Sequence, residues 1–134
     1  MRAATPDTIL IGTVQLERLR LAEAHAEGRE ICGLLLGSAT RIEAVLAAAN
    51  VAADPHVGFE VDPAVLIAAH RAERAGGARV LGHYHSHPNG RPDPSARDRI
   101  AAEPGKLWLI LARGKAGLWR ANEHGFERVR LIVG

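Results

Sequence analysis

The stretch GHYHSHPNGRPDPSARDRI, residues 82–100, decides how the rest of the chain is read. Three histidines alternate at His83, His85 and His87. Pro88 follows, then a Gly/Pro/Asp-rich loop, Ser95 and Asp98. On a strand, residues two apart share a face, so the three imidazoles point the same way. His-x-His is a good ligand pair, and an aspartate can return from the next helix. A catalytic zinc site keeps three protein ligands and leaves one position open. Periodicity alone leaves two triads: His83, His85 and His87, or His85, His87 and Asp98.

Working outward, the elements read as strands with a few helices. Residues 8–12 (TILIG) form a short apolar strand. Residues 14–28 carry Leu16, Leu19, Ala22 and Ala26 at helical spacing, with Thr13 as cap and Gly28 as stop. ICGLLL at 31–36 is a buried strand, and 41–49 its antiparallel neighbour. Residues 50–58 form a loop and 59–61 a short strand edge. Asp62-Pro63 starts a helix that runs to Ala75 before Gly76-Gly77. Residues 79–85 form a strand, and 95–103 a helix capped by Ser95. Residues 107–112, 118–121 and 126–133 form three closing strands separated by Gly-containing turns. The pattern predicts a mixed α/β sandwich with a largely antiparallel sheet.

The 134 residues fit one domain, 1–134, with 47% hydrophobic and 24% charged residues. Aromatics are only 4%, so aliphatic side chains must fill the core. A net charge of +2 and the lack of a Lys/Arg block give no ground for a nucleic-acid partner. Cys32 is the single cysteine, which excludes an internal disulfide and suits a reducing compartment. The N-terminal residues do not read as a signal peptide. No apolar run approaches the roughly 20 residues of a membrane span. The expected location is cytoplasmic.

His85-Ser86-His87-Pro88, with Ser95 and Asp98 downstream, resembles the H-x-H-P…S-x-x-D signature of the JAMM (MPN+, JAB1/Mov34) zinc metalloproteases. Glu30-Ile31-Cys32-Gly33-Leu34-Leu35-Leu36-Gly37 is similar to the family's E-x-C-G-x-L-x-G segment, and residues 50–63 with FEVDP resemble small bacterial members. The resemblance implies an MPN, cytidine-deaminase-like fold: one mixed sheet flanked by helices. It implies one zinc ion per chain on His85, His87 and Asp98. It makes Glu30 the general acid/base and Ser95 the support of the tetrahedral intermediate. It further implies hydrolysis of a peptide or isopeptide bond after the C-terminal glycines of a ubiquitin-like protein, or of a ThiS/MoaD-like β-grasp sulfur carrier.

Other residues read more plainly. His83 is then surplus; its shared face allows it to support the ligands or contact substrate, and a solvated histidine is its simplest reading. Ser86 faces away and makes a structural hydrogen bond. Cys32 is a small buried residue, and Gly90 serves a turn. Residues 50–61 and the segment after Asp98 are sheet edges that a Gly-Gly tail could join. Phe59, Val61, Trp108 and Trp119 could line its groove, although core packing explains each of them. Two rival readings are a RadC-like protein of DNA repair, suggested by residues 88–95, and a non-catalytic scaffold of the same fold. Monomer and homodimer both remain open.

Overall fold

The computed structural model describes residues 6–134. The readings made for residues 1–5, the absent signal peptide and the start of the domain, lie outside the described residues. Seven strands and three helices follow in the order β1 (Thr8–Ile11), α1 (Thr13–Ala24), β2 (Cys32–Gly37), β3 (Arg41–Ala48), α2 (Pro63–Arg74), β4 (Arg79–Ser86), α3 (Ala96–Ala101), β5 (Leu107–Ala112), β6 (Lys115–Asn122) and β7 (Gly125–Val133).

The mixed α/β fold expected from the sequence is the one found, with one sheet and helices against it. The sheet also closes on itself, in the order β1-β3-β2-β4-β5-β6-β7. Closure runs through β1, which pairs in parallel with β7 and with β3. The β4–β5 pair is parallel too, joined by a crossover that carries α3. Antiparallel pairing holds at β2–β3, β2–β4, β5–β6 and β6–β7, so its lead is narrow.

Several boundaries differ from expectation for local reasons. Gly12, not Thr13, occupies the cap of α1, and no side chain caps it. That helix stops at Ala24, and Gly28 comes later, in a turn at φ 80°. Residues 59–61 make no strand of their own; Asn50 and Val61 form an isolated bridge. Helix α3 ends at Ala101 rather than Glu103, with Pro104 close behind. Asp62 caps α2 as expected, accepting from the Ala64 amide at 3.0 Å.

One face of the sheet packs Leu35, Leu81, Tyr84, Leu109 and Leu118 against Leu16 and Leu19 of α1. The other packs Leu34 and Val80 against Ala69 of α2. A single irregularity in β4 sets which residues go where. Leu36 pairs with Val80 and Leu35 with Gly82, so Leu81 is one residue extra. Bulges of this kind re-aim side chains. Strict alternation from Val80 would turn Tyr84 toward α2 and the histidines into the main core. The extra residue reverses that. Tyr84 joins Leu81 in the core, and His83, His85 and His87 emerge on the α2 side.

Gly82, next to the bulge, admits no side chain, because a Cβ there would fall on the carbonyl oxygen of Leu107 in β5. Gly82→Ala must therefore push β4 from β5. The expected result is a loss of about 2–4 kcal/mol in unfolding free energy, read by denaturant titration. A loss below about 0.5 kcal/mol would show that the strands separate at little cost.

Candidate metal centre and cleft

The C-terminal end of β4, the start of α3 and the residue ahead of β2 converge on one buried point. Glu30, His85, His87 and Asp98 are 7, 0, 6 and 4% exposed, respectively, which is unusual for polar groups that stand this close. The His85 and His87 Nε2 atoms lie 2.9 Å apart. The Asp98 carboxylate reaches His85 Nε2 at 3.3 Å and His87 Nε2 at 3.2 Å. One carboxylate oxygen of Glu30 and one nitrogen of each of these histidines fall within 4.8 Å of one another. His83 stands outside this group, so the three-histidine triad is not assembled.

The hydrogen bonds around the cluster orient it. His87 Nδ1 lies 2.8 Å from the Arg91 carbonyl oxygen, an acceptor only, so the ring carries its proton there. Its Nε2 lone pair consequently faces the cluster. Asp98 belongs to a reciprocal cap: Ser95 Oγ accepts from the Asp98 amide at 3.1 Å, and Asp98 Oδ2 accepts from the Ser95 amide at 2.8 Å. The Ser95 hydroxyl proton has no acceptor among the described residues, which leaves it available to the cleft.

Electrostatics separates the two carboxylates. Burial pushes Glu30 up to about 7, helped by Asp98 and opposed by His87 and Arg97. Burial acts on Asp98 in the same direction, but hydrogen bonds from His85 and His87 and from the Ser95 amide outweigh it and hold Asp98 well below the usual range. One carboxylate is thus fixed as an anion, and the other exchanges a proton near neutrality.

The donor set suits a divalent cation. Two imidazole nitrogens and two carboxylates converge without cysteine, a set that zinc accepts. The hydrogen bonds that orient His87 and Asp98 resemble the outer partners that hold metal ligands. Among the described residues, the buried side-chain polar atoms without a partner are His85 Nδ1 in the cluster and His83 Nδ1 and Trp108 Nε1 in the cleft lining beside it. Interiors leave few such atoms unpaired, and they concentrate here.

A cleft of about 630 Å³ opens beside the cluster, between residues 52–66 and α3, with His83 and Trp108 in its lining. Phe59 stacks on His85 with centroids 4.1 Å apart. Trp108 is buried and meets His83 edge-on at 4.2 Å. His83 is therefore no solvated histidine: burial and the neighbouring His85 push it down to about 4, so it is neutral in the cleft floor. Trp119 lies outside the cleft lining, donating its Nε1 proton to the Pro92 carbonyl at 2.9 Å under the Arg128 guanidinium. Ser86 does accept from the Ile31 amide, at 2.9 Å. Cys32 is buried, and its thiol is pushed up to about 11 by burial and by Glu30.

Sequence reading missed Asn50. Its Nδ2 donates to the carbonyls of Glu30 (2.8 Å) and Gly58 (3.0 Å), and its Oδ1 accepts from the amides of Ala52 and Glu60, both at 3.1 Å. One side chain thereby ties the backbone of Glu30 to the cleft wall. The only local signal is an asparagine where a strand gives way to a loop.

The raised Glu30 pKa has a sign that a melting experiment can read. A carboxyl raised on folding contributes stability that is full below its unfolded value of 4.5 and is lost as pH rises through about 7. Glu30→Gln mimics the protonated form. In chelator-treated protein its melting temperature should match wild type below pH 4.5, exceed it progressively between pH 4.5 and about 7, and keep a constant lead above that. A constant difference across the whole range would mean that Glu30 ionises freely.

Comparison with known proteins agrees with this geometry. Residues 13–128 match the family described as prokaryotic homologs of the JAB domain. A desampylase of Haloferax volcanii is 39% identical over 114 residues, 81% of this chain and 82% of that protein. A desampylase of Pyrococcus furiosus is 30% identical over 107 residues, 78% of this chain and 76% of that protein. A solution structure of a protein from Desulfitobacterium hafniense superposes with a TM-score of 0.80 at 28% identity, covering 94% of this chain and 92% of that one. A JAB1/MPN domain protein from Archaeoglobus fulgidus shares the fold, with a TM-score of 0.63 at 20% identity over 95% of this chain and 98% of that one. With the family model spanning most of its length and a curated relative at this identity, the chain belongs to the prokaryotic JAB family and is a hydrolase of the JAB/JAMM type.

Proposed function

We propose that residues 1–134 act as a single zinc-dependent (iso)peptidase unit. Its substrate is the bond that follows the C-terminal glycines of a ubiquitin-like or sulfur-carrier β-grasp protein. The observation that carries this reading is the convergence of His85, His87 and Asp98, with Glu30 alongside, at the end of an open cleft. The desampylase relatives support it.

His85, His87 and Asp98 hold the metal in this reading. Glu30 also stands within ligand reach of both histidines. Asp98 is the better third ligand because it is already anionic and is aimed by the Ser95 cap. Glu30 is better suited to moving protons, since its carboxyl titrates near 7. Zinc bound there would acidify water and polarise the scissile carbonyl. Glu30 takes the proton from the attacking water and returns it to the departing amine. Ser95 directs its free hydroxyl proton at the oxygen where negative charge develops. Phe59 covers His85 and limits water around it.

A two-part assay tests the reading: zinc content, and cleavage of a β-grasp carrier ending in Gly-Gly plus one residue. Wild type should carry one zinc per chain and cleave in a chelator-sensitive manner. Glu30→Gln should keep its zinc and lose about 10²–10⁴-fold in kcat; turnover within a few fold of wild type would remove Glu30 from proton transfer. Asp98→Ala should fall well below one zinc per chain after dialysis. Unchanged stoichiometry would shift the third ligand to Glu30.

A further inference from the structure

A second polar site lies at the opposite end of β4. His85 and Arg79 are six residues apart on that strand, roughly 20 Å in extended chain. A pocket of about 280 Å³ opens there, where Arg79, Lys106 and Arg120 come together from β4, the α3–β5 loop and β6. Pro6, Ala39 and Pro104 complete an uncharged rim, and no carboxylate lines the pocket among the described residues.

Arg120 is the unusual member. It is 8% exposed, on the same strand face as the core residue Leu118. Among the described residues its guanidinium makes no hydrogen bond. Its ion pair with the half-exposed Glu127, its cross-strand partner, is long at 3.7 Å. Glu73, the acid behind Lys106, turns its carboxylate to the Val80 amide at 2.7 Å and to His70 at 3.4 Å. Lys106 itself donates to the Val80 carbonyl at 3.3 Å, which leaves two of its protons free.

A largely buried guanidinium held by one long ion pair, with donors open to the pocket and two further cations beside it, gains from a second anion. Three cationic side chains supply enough donors to surround a tetrahedral oxyanion, and the planar fork of Arg matches phosphate oxygens. We propose that this pocket binds a phosphate-class oxyanion, either free phosphate or the phosphate group of a small monoester. Binding clamps the start of β4, the loop before β5 and the end of β6.

The test is calorimetric titration and thermal melting of the zinc-loaded protein with inorganic phosphate. Glycerol phosphate is run in parallel to distinguish the two sources, and sodium chloride at matched ionic strength serves as the control. Saturable binding and a rise in melting temperature beyond the chloride control are expected. In Arg120→Met both should disappear. In the double variant Arg79→Gln/Lys106→Gln, whose changes lie nearer the surface, affinity should fall at least tenfold. The double variant decides the matter if Arg120→Met fails to fold. Equal effects of phosphate and chloride would overturn the proposal. So would phosphate binding that persists in the variants, which would place the anion on the metal.

Discussion

Two imidazole nitrogens 2.9 Å apart, flanked by two carboxylates in a nearly dry site, form the constraint that shapes the rest of the molecule. The arrangement does not favour itself. His85 loses basicity to burial, and Asp98 and Glu30 repel when both are charged. Folding has to hold these groups together against their preferences. It does so with backbone devices, because side-chain packing alone would let them part. The extra residue at Leu81 aims the histidines, Gly82 lets β5 close behind them, and the Arg91 carbonyl fixes the His87 tautomer. A local conflict so well enforced is what a functional site in an otherwise consistent fold looks like.

The spacing between Ser95 and Asp98 does two jobs with one geometry. A serine at the cap and an acid three residues on satisfy the amides of a helix start. Helix α3 has only six residues and little intrinsic stability, so it depends on that cap. The same reciprocal bonds turn Asp98 toward the histidines. Ser95 receives the Asp98 amide and keeps its own proton. Capping therefore does not consume the hydroxyl that the cleft can use.

How much of this was legible depends on whether the cause is local in sequence. Apolar runs followed by glycine-containing turns located β2 and β5, and Asp62-Pro63 announced α2, because each signal sits in or beside its element. The alternating histidines and the Ser95–Asp98 spacing marked the site for the same reason. Closure was not legible, because residues 8–11 pair with residues 130–133 and neither segment encodes its partner. The bulge was not legible either, since it is a mismatch between two strands. Its consequence was to send Tyr84 inward and to place His83 beneath Phe59 rather than in solvent. Of the two tryptophans weighed for the groove, Trp108 lines the cleft and its cross-strand partner Trp119 does not, because the Trp119 indole is drawn to the Pro92 carbonyl, a long-range contact that neither segment encodes.

The cleft wall differs in kind from its floor. The floor is β4 and β5, held by ladders on both sides. The wall, residues 50–61, has one isolated bridge, a few backbone bonds and the four hydrogen bonds of Asn50. Segments with so few backbone bonds open at lower cost than ladder strands. Asn50 holds the wall backbone at Gly58 and Glu60, on either side of Phe59, as well as at Glu30, while the Phe59 ring rests on His85 through ring contact alone. Ring contacts yield more easily than hydrogen bonds to buried groups, since sliding one ring off another leaves no donor unpaired. Adjustment is therefore confined to the Phe59 ring, which can swing aside for an extended chain while Asn50 and the Pro55 carbonyl, which accepts from the Glu30 amide at 2.6 Å, keep the backbone of Glu30 in place.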